Sequence, residues 1–248
     1  MIDFIQPMAG RGSRFEAAGF DVPKPLIELN GKPFFYWAIE SIRRSVDLRS
    51  LTCVVLEEHV KEHGIDKQIN AVFPDAICLV LPDVLDGPTL TTEFAVRNSQ
   101  NLGSFVVNDC DHAFLASSFG SFVKGCNGNL SSIGCDGGLL TFKADNPAFS
   151  YAELGDDGNV VRTVEKEVVS HHAICGAYMF SSPSHFLECF EHYKDNCQYD
   201  ELFMSGLYNE GVKLGGKYKV FECDFHVPFG TPDQYSAALK REEIQGWS

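Results

Sequence analysis

Residues 8 to 26 of the chain read MAGRGSRFEAAGFDVPKPL, and the fold turns on this stretch from Met8 to Leu26. Just before it stands the apolar pair Phe4-Ile5, so a short strand runs into a loop made of Gly10, Arg11, Gly12, Ser13 and Arg14. Ten residues after Arg14, Lys24 is held between Pro23 and Pro25. Glycines let backbone N–H groups approach a ligand closely, and fixed cations beside them suit a polyphosphate. Open α/β sheets bind ligands where their strands end in such loops. The stretch reads as a nucleoside-triphosphate site.

Other phosphate loops fit less well. A Walker A loop needs G-x-x-x-x-G-K-S/T, and no such run occurs. The dinucleotide fingerprint G-x-G-x-x-G needs a third glycine where Phe15 stands.

The rest of the chain supplies a sheet for that loop to end. Phe4–Met8, Leu51–Leu56, Ala76–Leu81 and Ser104–Val107 are apolar runs of strand length. Between them Phe35, Ala38, Ile39, Ile42 and Val46 repeat at helical spacing, as do Leu90, Phe94 and Val96, with Pro88 placed to start a helix. This βαβ rhythm predicts a doubly wound, mostly parallel sheet with helices on both faces, a three-layer αβα arrangement. After Asp136 the pattern changes to shorter strands at Gly138–Lys143, Tyr151–Leu154, Val160–Val164 and Ile174–Phe180, with a turn at Asp156-Asp157-Gly158-Asn159. Helices are expected at Pro183–Tyr193, Asp200–Tyr208 and Pro232–Arg241, and a strand at Tyr218–Cys223. With no repeat or linker, the 248 residues are expected to form one domain, residues 1–135 binding nucleotide and 136–248 an acceptor.

Bulk properties narrow the partners. A formal net charge of −14 argues against a nucleic-acid binder, which would show a basic stripe. It leaves room for a phosphate ligand, because a metal ion and a few local cations can invert the potential of one cleft. No apolar run approaches the roughly 20 residues of a membrane span, and Ile2–Met8 reads as a strand and not as a leader, so the expectation is a cytoplasmic protein. The nine cysteines form no CxxC, and Cys53, Cys78, Cys110, Cys175 and Cys223 lie in or beside apolar runs, as buried reduced thiols do. The adjacent His171-His172 would point to opposite faces of a strand and is no metal pair.

The two halves of the opening stretch, Ala9-Gly10-Arg11-Gly12-Ser13-Arg14-Phe15 and Pro23-Lys24-Pro25-Leu26, followed by Gly31-Lys32-Pro33, closely resemble the signature of the sugar-phosphate nucleotidyltransferases. The resemblance spans nearly the whole chain and implies the nucleotide-diphospho-sugar transferase fold, similar to that of GT-A enzymes. It implies that Ala9 and the Gly10–Ser13 backbone, with Arg11 and Gly12 between, bind the nucleotide. Arg14 would hold the β- and γ-phosphates, and Lys24 the α-phosphate and the incoming phosphate. Gly87 and Thr89, in Leu85-Asp86-Gly87-Pro88-Thr89, resemble the loop that recognises the base.

The strand Ser104–Val107 runs into Asn108-Asp109-Cys110-Asp111, and carboxylates at such a strand end suit Mg²⁺ bridging phosphates. The resemblance places the metal on Asp111, with Asp109 a neighbour on the nucleotide side. A second metal aspartate would precede Gly230-Thr231-Pro232, but Phe229 and Pro228 stand there. Asp224 lies four residues before Pro228, about 13 Å along a strand, so it is not expected to reach the metal; His226 is a poor Mg²⁺ ligand. On the acceptor side the resemblance points to Gly137 in Asp136-Gly137-Gly138, to Glu165 for hydroxyls, Lys166 for phosphate, and to Gly176. Glu201 also matches a family acid.

The reaction so implied joins an NTP to a sugar phosphate, or to another phosphorylated small molecule such as a choline, polyol or amino-acid derivative, and releases pyrophosphate with Mg²⁺ as cofactor. The residues leave open a GT-A glycosyltransferase, for which Asp109-Cys110-Asp111 would be the metal motif. They also leave open a nucleotide-binding regulatory protein lacking catalysis, suggested by Pro228. The oligomeric state is not readable.

Overall fold

Alternating apolar residues build the centre of the sheet, as the computed structural model of the protein shows for the described residues 1–247. In β1 (Ile2–Pro7) Phe4 turns to one core cluster and Ile5 to another. In β4 (Leu48–Leu56) Cys53 and Val55 face the first cluster and Val54 and Leu56 the second. Strands apolar on both faces need cover on both faces. The first face is covered by α2 (Phe34–Ser45), α4 (Ile65–Val72) and α6 (Ser117–Gly125), through Phe35, Ile39, Ile42, Ile69, Phe119 and Val123. The second is covered by α5 (Pro88–Asn98), α7 (Pro183–Asn196) and α8 (Met204–Lys213), through Ala95, Val96, Phe186, Phe190, Leu207 and Tyr208. The three layers are those the sequence predicts.

The main sheet has nine strands. β5 (Ile77–Leu81), β4, β1 and β6 (Phe105–Asn108) run parallel in that spatial order, and β11 (His172–Phe180) joins β6 antiparallel. β8 (Gly137–Lys143) pairs with β11, and β12 (Tyr218–Glu222) lies parallel to β8 at the far edge. β11 outruns β6. Its Ala177–Phe180 segment pairs with β6, whereas Ala173 pairs with Tyr151 of β9 (Tyr151–Leu154), which carries β10 (Val160–Val164). The β9–β10 ribbon therefore rises beyond the carboxyl end of β6, where the ligand edge lies.

Two small hairpin-like pairs complete that edge. β2 (Glu28–Leu29) and β3 (Lys32–Pro33) are pinned by Trp37 of α2, whose indole Nε1 donates to the Leu29 carbonyl at 2.9 Å. β7 (His112–Leu115) pairs antiparallel with β13 (Phe225–Pro228), setting Pro228 opposite His112. A third core cluster, with Phe15, Phe34, Trp37, Phe229 and Trp247, ties the opening loop to α9 (Pro232–Ala238). The remaining helices are α1 (Ser13–Ala17) and α3 (Glu57–His63).

Several expected boundaries move. The helix predicted from Asp200 begins at Met204, because Leu202 instead pairs its backbone with the base loop: its N–H donates to Asp86 O and its carbonyl accepts from Thr89 N. The last helix ends at Ala238, and β7, β13, α3, α4 and α6 have no counterpart in the sequence reading. All nine thiols are free.

Candidate active site

The two halves of the opening stretch meet at Lys24. Gly12 has φ +69°, and a Cβ there would stand 2.8 Å from Lys24 Cβ, so only glycine lets the loop lie on the Pro23-Lys24-Pro25 turn. Gly10 is open, with nothing within 4 Å of a notional Cβ, which leaves its backbone free to take an anion. Phe15, buried against Phe20 and Phe34 at ring distances of 5.2 and 5.6 Å, anchors the loop. Lys24 Nζ then donates to Asp111 Oδ2 at 2.8 Å.

Asp111 closes the turn that follows β6. Cys110 is buried in the core, whereas Asp109 and Asp111 on either side of it are half-buried and border the cavities at the ligand edge. The turn is fixed by Asp109 N donating to Gly176 O and by Phe229 N donating to Asp111 O, both at 2.9 Å. Burial raises the Asp111 pKa, but the Lys24 ammonium more than offsets this and holds the carboxyl below its usual range. Asp109 has no such partner. Burial first, then the charge of Asp111, push its pKa up.

Two cavities flank this turn. The first, of about 390 Å³, is bounded by Met8–Arg11, by Val84, Leu85, Gly87 and Pro88 with Thr91, by Glu201, and by Asp109 and Asp111. The second, of about 470 Å³, is bounded by the same two carboxylates, Arg14, Ala148–Ser150, Lys166, Gly176, Tyr178, His226, Pro228 and Gln234. Asp109 and Asp111 thus form the wall common to both.

Most of the expected residues gather here. Ala9, Gly10, Arg11, Lys24 and Gly87 border the first cavity, and Gly176 and Lys166 the second. Arg14 opens onto the second cavity, on the side opposite to the one expected for a contact to β- and γ-phosphates; Arg11 takes the first. Ser13 starts α1 as an exposed residue and borders neither. Thr89 is a correction: it is fully buried, its Oγ1 donating to Met204 Sδ at 3.5 Å, and Thr91 is the threonine at the cavity. Gly137 is another. It opens β8 opposite Phe180, which pairs with Phe105 at the far end of β6, and a Cβ there would run into Met179 O and stand 3.0 Å from the Tyr218 ring.

Glu165 and Lys166 end β10 differently. Glu165 Oε2 accepts from Ser205 Oγ at 2.7 Å and from Ser150 Oγ. Lys166 adopts φ +56°, costly for a side chain of this kind, and stretches its ammonium to 5.0 Å from the Phe203 ring. Both border a third cavity of about 660 Å³, with Asp86, Tyr199 and Glu201. Asp224 is elsewhere: its carboxylate accepts from Ser117 N at 2.8 Å and Ser117 Oγ at 2.6 Å, at the start of α6.

One polar chain carries no signal in the sequence. Asn108 Nδ2 donates to Ala38 O at 3.1 Å, so Asn108 Oδ1 accepts from His112 Nε2 at 2.8 Å. That leaves His112 Nδ1 to accept from His226 Nε2 at 3.2 Å. Burial lowers the His112 pKa to about 4 and that of His226 too, so both rings are neutral at the cavity wall.

No protein-family model matches the chain, and no protein of curated function matches it in sequence. Solved structures do match. A nucleoside-diphosphate-sugar pyrophosphorylase from Vibrio cholerae RC9 superposes with a TM-score of 0.81 at 22% identity, covering 96% of this chain and 100% of that one. The inositol-1-phosphate CTP transferase from T. maritima gives 0.75 at 15% identity, covering 98% and 97%. HddC from Yersinia pseudotuberculosis gives 0.70 at 19%, covering 97% and 99%. The chain has the sugar-phosphate nucleotidyltransferase fold. At these identities the likeness concerns the fold, and the chemistry has to be argued from the site. Among the described residues no helix is long and apolar enough to cross a membrane.

Proposed function

We propose that the protein is a nucleotidyltransferase that joins an NTP to a phosphorylated small molecule, a sugar phosphate or a comparable organophosphate, and releases pyrophosphate in the cytoplasm. The observation that carries this reading is the pair of cavities sharing the Asp109–Asp111 wall, with Arg11 facing one and Arg14 and Lys166 the other. One cavity takes the nucleotide and the other the acceptor, so that an acceptor phosphate meets the α-phosphate at Lys24.

A phosphate monoester has a second pKa of about 6 and is already anionic at neutral pH. No general base is required, and catalysis reduces to positioning and charge neutralisation. An acceptor phosphate oxygen attacks the α-phosphorus; the bond from that phosphorus to the oxygen bridging the β-phosphate breaks, and pyrophosphate leaves with the electron pair. Gly10 and Arg11 hold the β- and γ-phosphates. Lys24 transfers its ammonium from Asp111 to the α-phosphate, and Arg14 and Lys166 orient the acceptor phosphate. Glu165, with Oε2 already engaged by serines, borders the third cavity beside Lys166 and offers Oε1 to a hydroxyl of an acceptor that extends from the second cavity into it. Asp111, whose Oδ2 already takes a cation from Lys24, is the residue to hold Mg²⁺. When bound, that ion neutralises charge on the phosphate oxygens.

The adjacency of Asp109 and Asp111 favours one rival, a glycosyltransferase using a nucleotide-sugar. Incubation with each of the four NTPs, Mg²⁺ and a panel of organophosphates, beside a parallel incubation with nucleotide-sugars and sugar acceptors, separates the two. Pyrophosphate release that depends on an acceptor is expected. Nucleoside diphosphate released from a nucleotide-sugar, with no pyrophosphate from any NTP, would replace this reading by the glycosyltransferase.

A further inference from the structure

The turn after β6 carries two carboxylates, and the fold clears room for each. Gly176, within β11, has φ +96°, and a Cβ on it would stand 2.6 Å from Asp109 Oδ2. Gly230, after β13, would bring a Cβ to 2.6 Å from Asp111 Oδ2. Two elements remote in sequence thus each surrender a side chain in favour of one carboxylate. Both carboxylates border both cavities.

Their charge is only half matched. Asp111 has the Lys24 ammonium, while among the described residues no side chain donates to Asp109. Once both are ionised, two carboxylates against one ammonium leave a negative charge where a polyanionic nucleotide must arrive, an obstacle that a divalent cation removes. The facing wall does not supply a further carboxylate. Position 228 lies opposite His112, next to Asp111, and carries a pyrrolidine ring. No group of three or more His, Cys, Asp or Glu side chains converges on a metal site among the described residues.

We propose that Asp109 and Asp111 together hold the divalent cation, Asp109 supplying from the strand-end turn the carboxylate that Pro228 does not supply from the opposite wall. This rests on the nucleotidyltransferase reading above. The donor set suits Mg²⁺, which takes one or two carboxylates and completes its shell with phosphate oxygens and water. Gly176 then serves the metal indirectly, since a methyl group at this position displaces the Asp109 carboxylate.

The test measures metal binding, with Mn²⁺ as the probe and free Mn²⁺ read by electron paramagnetic resonance. The wild type is titrated with the α,β-methylene analogue of each NTP present, and Asp109→Asn, Asp111→Asn and Gly176→Ala are compared with the analogue that binds. Each variant is expected to lose tenfold or more in Mn²⁺ affinity. Adding Pro228→Asp to Asp109→Asn should regain most of that loss, and no regain would overturn the exchange of one position for the other. Wild-type Mn²⁺ affinity in Asp109→Asn overturns the proposal. Should that variant not fold, the same result in Gly176→Ala overturns it. A wild type that binds an analogue but no Mn²⁺ overturns this inference alone. One that binds no analogue overturns the nucleotide reading as well.

Discussion

Replacing Lys24 by Met should create a metal site in the protein without nucleotide. In the structure Lys24 Nζ sits 2.8 Å from Asp111 Oδ2, so an incoming cation must first break an ion pair. The side chains of Lys24 and Asp111 are 24% and 25% exposed, which places the pair between the surface and the interior. Exposed pairs contribute about 0–1 kcal/mol, and breaking a fully buried pair costs about 3–5 kcal/mol. An intermediate figure of about 2 kcal/mol corresponds to a factor of about 30 in Kd. Met preserves the apolar stem beneath Gly12 and removes only the charge. Titration of Mn²⁺ into nucleotide-free protein should show weak binding to the wild type and binding about 30-fold tighter to Lys24→Met. Turnover should be lost in the same variant, because no ammonium remains for the α-phosphate. The reasoning fails if Lys24→Met binds Mn²⁺ no better than the wild type, or if the wild type already binds it tightly without nucleotide.

Arg14 borders the second cavity, so Arg14→Ala should raise the KM of the phosphorylated acceptor far more than that of the NTP; Arg14→Lys should recover little, since a point charge does not reproduce a forked contact to phosphate. The opposite pattern in steady-state kinetics would return Arg14 to the nucleotide. Asp224→Ala should cost about 1 kcal/mol through the lost helix cap on Ser117, seen as a lower melting temperature, with Mn²⁺ affinity in the nucleotide complex unchanged. Asp3 is buried at the opposite end of the sheet, where burial raises its pKa but bonds from Arg49, Ser50 and Gly103 N more than offset that, leaving it lowered. A depressed carboxyl stabilises the fold above its unfolded pKa of about 3.9 and loses that contribution as pH falls below it. Asp3→Asn should therefore unfold more readily at pH 7 in urea, and the gap from the wild type should shrink in acid; a gap independent of pH would assign the loss to packing.

How far the sequence reaches depends on whether a contact is local. The loop Ala9–Arg14 and the turn at Lys24 were legible because glycine and proline act on their own backbone, and the central strands of the main sheet because a strand covered on both faces shows as an apolar run of five or six residues. Thr89 and Thr91 were not distinguishable: both lie in the first turn of α5, about 200° apart around the helix at 100° per residue, and only the contact with Met204 decides which one faces inward. Asp200–Phe203 has helical spacing, yet its backbone is claimed by Asp86 and Thr89, more than a hundred residues earlier. The resemblance points Gly137 at the acceptor; what constrains the position is the Met179 carbonyl of β11 on one side and the Tyr218 ring of β12 on the other. The His112–His226 contact requires the pairing of β7 with β13, two four-residue strands too short to show a period. Asp224 is the instructive contrast. That it would not stand in for position 228 could be argued from sequence, because four residues of strand span about 13 Å whatever the fold around them; the structure places it just before β13, bonded to Ser117 at the start of α6. Pro228, the last residue of β13, abuts the Asp109–Asp111 turn, so the second carboxylate we propose for the cation comes from Asp109 and not from along β13.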